Sequence, residues 1–156
     1  MSSSVYRTTD VLTQEQLDFI LALPSVIDAK AKIDAQTSGS VYFHISLTSD
    51  LKAVLYEKLG LDLAAVDVIP LRWIKGDSLP HIDRGAGDFE KTHLMYLTDS
   101  VGSLILGEES YPITQGSAYV FSEGIRHETV GTGSEPRLLL GPMSEAGMAV
   151  GAPTNY

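Results

Sequence analysis

Four histidines occur in the chain, at 44, 81, 93 and 127. Two of them stand in a pattern that suits a metal ion. His81 and Asp83 are two residues apart near a strand end, and side chains at i and i+2 project from the same face of a strand. A neutral imidazole and a carboxylate converging there suit a borderline divalent cation. His127 lies 46 residues further on (127 − 81), inside Ile125 to Gly131, which also reads as a strand. A jelly roll folds such distant strands side by side. Two imidazoles and one carboxylate on one face of a metal leave three coordination positions open, an arrangement suited to oxygen chemistry at Fe(II).

Arg137 follows His127 by ten residues (137 − 127) and opens the run Arg137-Leu138-Leu139-Leu140-Gly141. That run reads as a buried strand, and a guanidinium pointing inward from it needs a counter-charge. A carboxylate ligand meets the planar fork of arginine with two parallel hydrogen bonds. The physics therefore asks for a small dicarboxylate-like molecule between the metal and Arg137. His44 and His93 read as structural, and Arg72 and Lys75 read as surface residues.

The elements that must position these groups are short. Thr13-Gln14-Glu15-Gln16 is a capping box that starts a helix; Leu17, Ile20 and Leu21 form its apolar face and Pro24 ends it. A second helix starts near Ser49-Asp50, carries Leu51, Val54, Leu55 and Leu59, and stops at Gly60. Between them Val41, Phe43, Ile45 and Leu47 alternate with polar residues as in a half-buried strand. Beyond Val66, β-branched and aromatic runs between Gly and Pro predict strands near 68–75, 79–84, 91–98, 103–106, 110–113, 117–122, 125–131 and 136–141. Eight short strands at close spacing predict a mainly β fold, a double-stranded β-helix (jelly roll, cupin-like), with two N-terminal supporting helices. The 156 residues suit a single domain with a core over about 66–142 and a flexible tail over 143–156.

Composition narrows the function classes. The chain has 20 acidic and 11 basic residues, a net charge of −9, and no Lys/Arg cluster, which argues against nucleic acid as a partner. No apolar run approaches the length of a membrane span. There is no cysteine, so neither disulfides nor thiolate chemistry is available. The opening residues lack the pattern of a secretory leader, and a cytoplasmic protein is the expectation.

The motif set His81-x-Asp83…His127, followed by Arg137, resembles the 2-oxoglutarate/Fe(II) oxygenases, in particular their prolyl-hydroxylase-like branch. Leu71-Arg72-Trp73-Ile74-Lys75-Gly76 with Pro80-His81 resembles the family's approach to the metal motif. Thr92 to Leu97 resembles its next core strand, and Gly102 to Leu106 a later hairpin. The resemblance spans residues 10 to 142. It implies Fe(II) on His81, Asp83 and His127, 2-oxoglutarate gripped by Arg137 and Tyr96, and Trp73 at the cofactor pocket, although Trp73 stands where the family usually has Tyr. It further implies a dioxygenase that couples hydroxylation to decarboxylation of 2-oxoglutarate to succinate, with O2 and a prolyl residue, peptide or amino-acid-like small molecule as substrates. The loop Arg84 to Phe89 would then serve as a lid. Two other readings are a cupin-type metalloprotein that does not use 2-oxoglutarate and a non-catalytic binding module. Substrate identity and oligomeric state are left open by the sequence.

Overall fold

The computed structural model describes residues 5–80 and 90–150. The metal-motif residues His81 and Asp83, the expected lid 84–89, and the tail beyond residue 150 lie outside the described residues. Three helices precede the main body of strands. The capping box forms as expected: Gln16 N donates to Thr13 Oγ1 at 3.1 Å and Thr13 N to Gln16 Oε1 at 2.9 Å, starting α1 (Gln14–Leu21). Pro24 does end α1, but it also begins α2 (Pro24–Asp34), a helix that the sequence reading missed. The ring has no N–H to lose at a first helical position, and its fixed φ suits one. Thr48 caps α3 (Ser49–Leu59), and Gly60 closes it at φ 68°.

The strands form two antiparallel sheets. In the larger, β1 (Tyr6–Thr8), β7 (Ala118–Ser122), β4 (Lys91–Tyr96), β9 (Arg137–Ser144), β3 (Val68–Lys75) and β2 (Gly39–Ser46) lie side by side in that order. The smaller sheet has the order β6 (Glu109–Ile113), β5 (Ser100–Leu106), β8 (His127–Val130). Alternation along the central strands gives the larger sheet two working faces. Ile69, Leu71 and Trp73 of β3, Met95 of β4, and Leu138 and Leu140 of β9 pack against Leu17, Ile20, Val26, Ile33 and Leu55 of the helices. Ile74, Leu94, Tyr96 and Leu139 turn the other way and meet Leu104 and Leu106 of the smaller sheet, together with Tyr119 and Phe121 of β7. Among the described residues, no helix is long and apolar enough to cross a membrane.

Two expectations are corrected here. Arg72 is fully buried on the inter-sheet face of β3, not at the surface; its Nη2 donates to the Val150 carbonyl at 2.9 Å, and its guanidinium lies 5.5 Å from the centre of the Tyr42 ring. Residues 143–150 are not a loose tail. Met143 and Ser144 complete β9, Ser144 N donates to Met148 O at 2.8 Å, Val150 N donates to Pro142 O at 3.0 Å, and Val150 is buried. The Gly/Ala-rich composition hid a turn that folds back on its own strand.

Where β9 passes β4, the register shifts between His93 and Met95, and Gly141 sits opposite at φ 96°. A Cβ at Gly141 would stand 2.7 Å from the His93 carbonyl oxygen. Gly141→Ala is therefore expected to destabilise the fold by at least about 2 kcal/mol through left-handed strain and the backbone clash. Urea denaturation with an unchanged m-value checks this.

Candidate active site

The polypeptide leaves β3 through Gly76-Asp77-Ser78, and this turn is fastened to the end of β8. Ser78 N donates to Thr129 Oγ1 at 2.9 Å, the two hydroxyls are 2.8 Å apart, and Thr129 N donates to Ser78 Oγ at 3.1 Å. Asp77 accepts from Thr132 N at 2.8 Å, Thr132 Oγ1 at 2.7 Å and Gly131 N at 3.1 Å. These bonds, those of Thr132 foremost, hold its carboxyl below the usual carboxylate range. Ser78 thus lies against β8, the strand that carries His127.

Arg137 opens β9 opposite Ile74 and is fully buried. Its Nη1 donates to the Gly76 carbonyl at 2.9 Å and its Nη2 to Thr129 Oγ1 at 2.8 Å. The same clamp that positions the strand exit therefore aims the guanidinium. Tyr96, at the end of β4, is hydrogen-bonded to Arg137 and fully enclosed; burial pushes its phenol up to about 12, outweighing the pull of Arg137 in the other direction. The phenol is a neutral donor throughout the physiological range.

His127 begins β8, buried, with its ring edge-on to Phe121 at 5.1 Å. Its Nδ1 lies 3.1 Å from the Ile125 carbonyl oxygen. A carbonyl only accepts, so Nδ1 carries the proton and Nε2 keeps its lone pair, the tautomer of a metal-binding imidazole. Tyr96, His127, Thr129, Arg137 and Ser78 line one cavity together with the apolar side chains of Ile74, Leu94, Leu104, Leu139 and Pro142. Among the described residues the cavity offers one imidazole, one guanidinium and the hydroxyls of Ser78, Tyr96 and Thr129, and no group of three or more metal-ligating side chains. Roomier grooves run along α1 and α3, and they hold no histidine.

The sequence-predicted residues divide as follows. Tyr96, His127 and Arg137 share the cavity. Trp73 does not reach it: odd-numbered positions of β3 face the helices, and its indole Nε1 donates to the Val26 carbonyl at 3.0 Å. Its assignment to the cofactor pocket is corrected, and Ile74 stands there instead. Sequence reasoning missed Ser78, in the turn beyond β3, and Thr129 on β8, for neither of which the sequence carries a signal by itself. His44 is exposed and bonded to the Tyr42 hydroxyl at 3.0 Å.

His93 is buried on the outer face of β4 beside Met143. Burial holds its imidazole below the usual 6.5, opposed by Glu145 and assisted by Lys91. The folded state then binds the proton less tightly than the unfolded chain, so the stability is present above 6.5 and is lost as pH falls below it. The melting temperature is expected to drop between about pH 7.5 and about pH 5.5, and His93→Gln to flatten that slope. Scanning calorimetry of both proteins across the window checks this.

No protein-family model matches the chain, and no curated protein matches it in sequence. Solved structures do match its fold. A Pseudomonas putida prolyl-4-hydroxylase superposes with a TM-score of 0.59 at 17% identity over 89% of this chain and 90% of that one. The viral collagen prolyl hydroxylase of Paramecium bursaria Chlorella virus-1, in complex with 2-oxoglutarate, gives 0.60 at 12% identity over 88% and 93%. A Burkholderia pseudomallei oxidoreductase of the 2OG-Fe(II) oxygenase family gives 0.56 at 10% identity over 94% and 89%. The fold is thus the jelly roll on which the 2-oxoglutarate/Fe(II) oxygenases are built, prolyl hydroxylases among them.

Proposed function

We propose that this protein is an Fe(II)- and 2-oxoglutarate-dependent dioxygenase that hydroxylates a prolyl residue, a peptide or an amino-acid-like small molecule. The observation that carries the reading is the convergence of His127, Tyr96 and Arg137 on one cavity in this fold. His81 and Asp83 follow Ser78 by three and five residues in the chain, and with His127 they would supply the two imidazoles and one carboxylate that hold Fe(II). Bound iron and 2-oxoglutarate supply an O2-dependent oxidation coupled to decarboxylation of the keto acid. The chain's own part is to bind and shield. Arg137 and Tyr96 offer charged and neutral donors to the distal carboxylate, Thr129 and Gly76 hold the guanidinium in place, and Ile74, Leu94, Leu104 and Leu139 exclude water. A cupin-type metalloprotein that ignores 2-oxoglutarate gives the Arg137–Tyr96 pair no task. The net charge of −9 sets nucleic acid aside as a substrate.

An anaerobic titration of the apo-protein with Fe(II) and then 2-oxoglutarate tests the reading. A visible metal-to-ligand charge-transfer band is expected only with both present; iron binding without the band would return the protein to the cupin-type reading. Asp83→Ala is expected to abolish Fe(II) binding with the melting curve retained. Arg137→Ala is expected to weaken 2-oxoglutarate by about 2–5 kcal/mol, the usual cost of truncating one partner of a buried charge pair; a loss of a few tenths would remove Arg137 from the cofactor site. Both imidazoles must be neutral to ligate, so iron affinity should fall as pH drops through the histidine range. Equilibrium dialysis across that range reads this directly.

A further inference from the structure

The hydroxyl pair that fastens the exit of β3 to β8 has a direction, and counting its lone pairs fixes it. Thr129 Oγ1 accepts from Ser78 N at 2.9 Å and from Arg137 Nη2 at 2.8 Å. A hydroxyl oxygen has two lone pairs, so both are spent. The remaining contact of Thr129 Oγ1, with Ser78 Oγ at 2.8 Å, must then use the proton of Thr129. The opposite assignment would set three donors on one oxygen, more than its lone pairs hold. Ser78 Oγ in turn accepts from Thr129 N at 3.1 Å as well as from the Thr129 hydroxyl. Both of its lone pairs are taken by Thr129, and among the described residues its proton is left to donate.

Ser78 is 6% exposed and lines the same cavity as Arg137, Tyr96 and His127. Its hydroxyl is the last member of a chain that runs from the guanidinium through Thr129. Each bond in such a chain polarises the next, and this one starts at a full positive charge, which strengthens Ser78 as a donor. Tyr96 is placed alike. Its oxygen takes a hydrogen bond from Arg137, and burial keeps the phenol protonated, so it also has a proton to give. One arginine thus polarises two hydroxyls on the wall of one cavity, by direct contact with Tyr96 and through Thr129 to Ser78. A carboxylate answers such a set, because its two oxygens only accept and carry the complementary charge.

On the strength of the oxygenase reading above, we propose that Ser78 is a further binding residue for the distal carboxylate of 2-oxoglutarate, with its proton aimed by Thr129. Ser78 then determines specificity for a keto acid that ends in a carboxylate, and Thr129 is a positioning residue that acts through it.

The test is anaerobic titration of the full chain loaded with Fe(II), with affinity read from the charge-transfer band. The probes are 2-oxoglutarate and 2-oxopentanoate, which keeps the chelating end and closes in a methyl group. Ser78→Ala is expected to weaken 2-oxoglutarate about tenfold to a hundredfold, the range for a hydrogen bond to a charged group. Its affinity for 2-oxopentanoate and for Fe(II) should stay as in the wild type. Should Ser78→Ala fail to fold, Ser78→Cys, close in size and a weak donor, is read in the same way and should show a smaller selective loss. Unchanged 2-oxoglutarate affinity overturns the assignment. So does a loss shared equally by 2-oxopentanoate or by Fe(II), which would make Ser78 a purely structural clamp. A wild-type protein that forms no band with 2-oxoglutarate defeats the oxygenase reading itself. An intact wild-type band with an undiminished Ser78→Ala affinity defeats only the role of Ser78.

Discussion

A guanidinium buried between two sheets is the constraint around which this structure is arranged. Arg137 keeps its charge at any physiological pH, so the interior must supply oriented oxygen atoms rather than merely space. It does so from two separate places, the Gly76 carbonyl just beyond β3 and the Thr129 hydroxyl on β8. Holding one side chain thereby ties the larger sheet to the smaller at the point where the polypeptide passes from one to the other. The Ser78–Thr129 exchange and the Asp77 bonds to Gly131 and Thr132 reinforce that junction. The cavity is consequently a by-product of how the sheets are fastened.

Strand alternation does the rest. Each central strand of the larger sheet sends one set of side chains to the helices and the other to the cavity, so support and chemistry interleave along the same few residues. A slip of one residue in β9 would send Leu138 to the site and the charge of Arg137 into the helix interface. The register shift opposite Gly141 lets β9 continue to Ser144 while the stretch from Arg137 to Leu139 keeps its facing.

Much of this was legible in the chain itself, for identifiable reasons. Periodicity marked β3 and β7 closely and the start of β9, because strands in a two-layer sandwich carry dense β-branched and aromatic runs. The capping box and Gly60 marked helix ends because those residues satisfy terminal backbone groups. Arg137 was legible because a lone cation in an apolar strand has few physical justifications. What escaped depended on partners remote in sequence. Pro24 was read as a stop when its neighbours also allow a start. Arg72 looked like a surface residue because nothing local announces that residues 143–150 cover it. Trp73 was assigned by resemblance to an aromatic position, whereas strand parity decides which face it occupies. Thr129 and Ser78 gave no signal alone, since a hydroxyl pair acquires meaning only once two strands lie side by side.

That parity has a practical side. Trp73 is the only tryptophan in the chain, and its indole is engaged with α2 through Val26 rather than with the cavity. Intrinsic fluorescence of this protein therefore monitors the docking of the helical layer onto the sheet. Emission should be nearly silent when small molecules occupy the space between the sheets, and a quenching signal on adding a ligand would speak of the helices coming away from their seat.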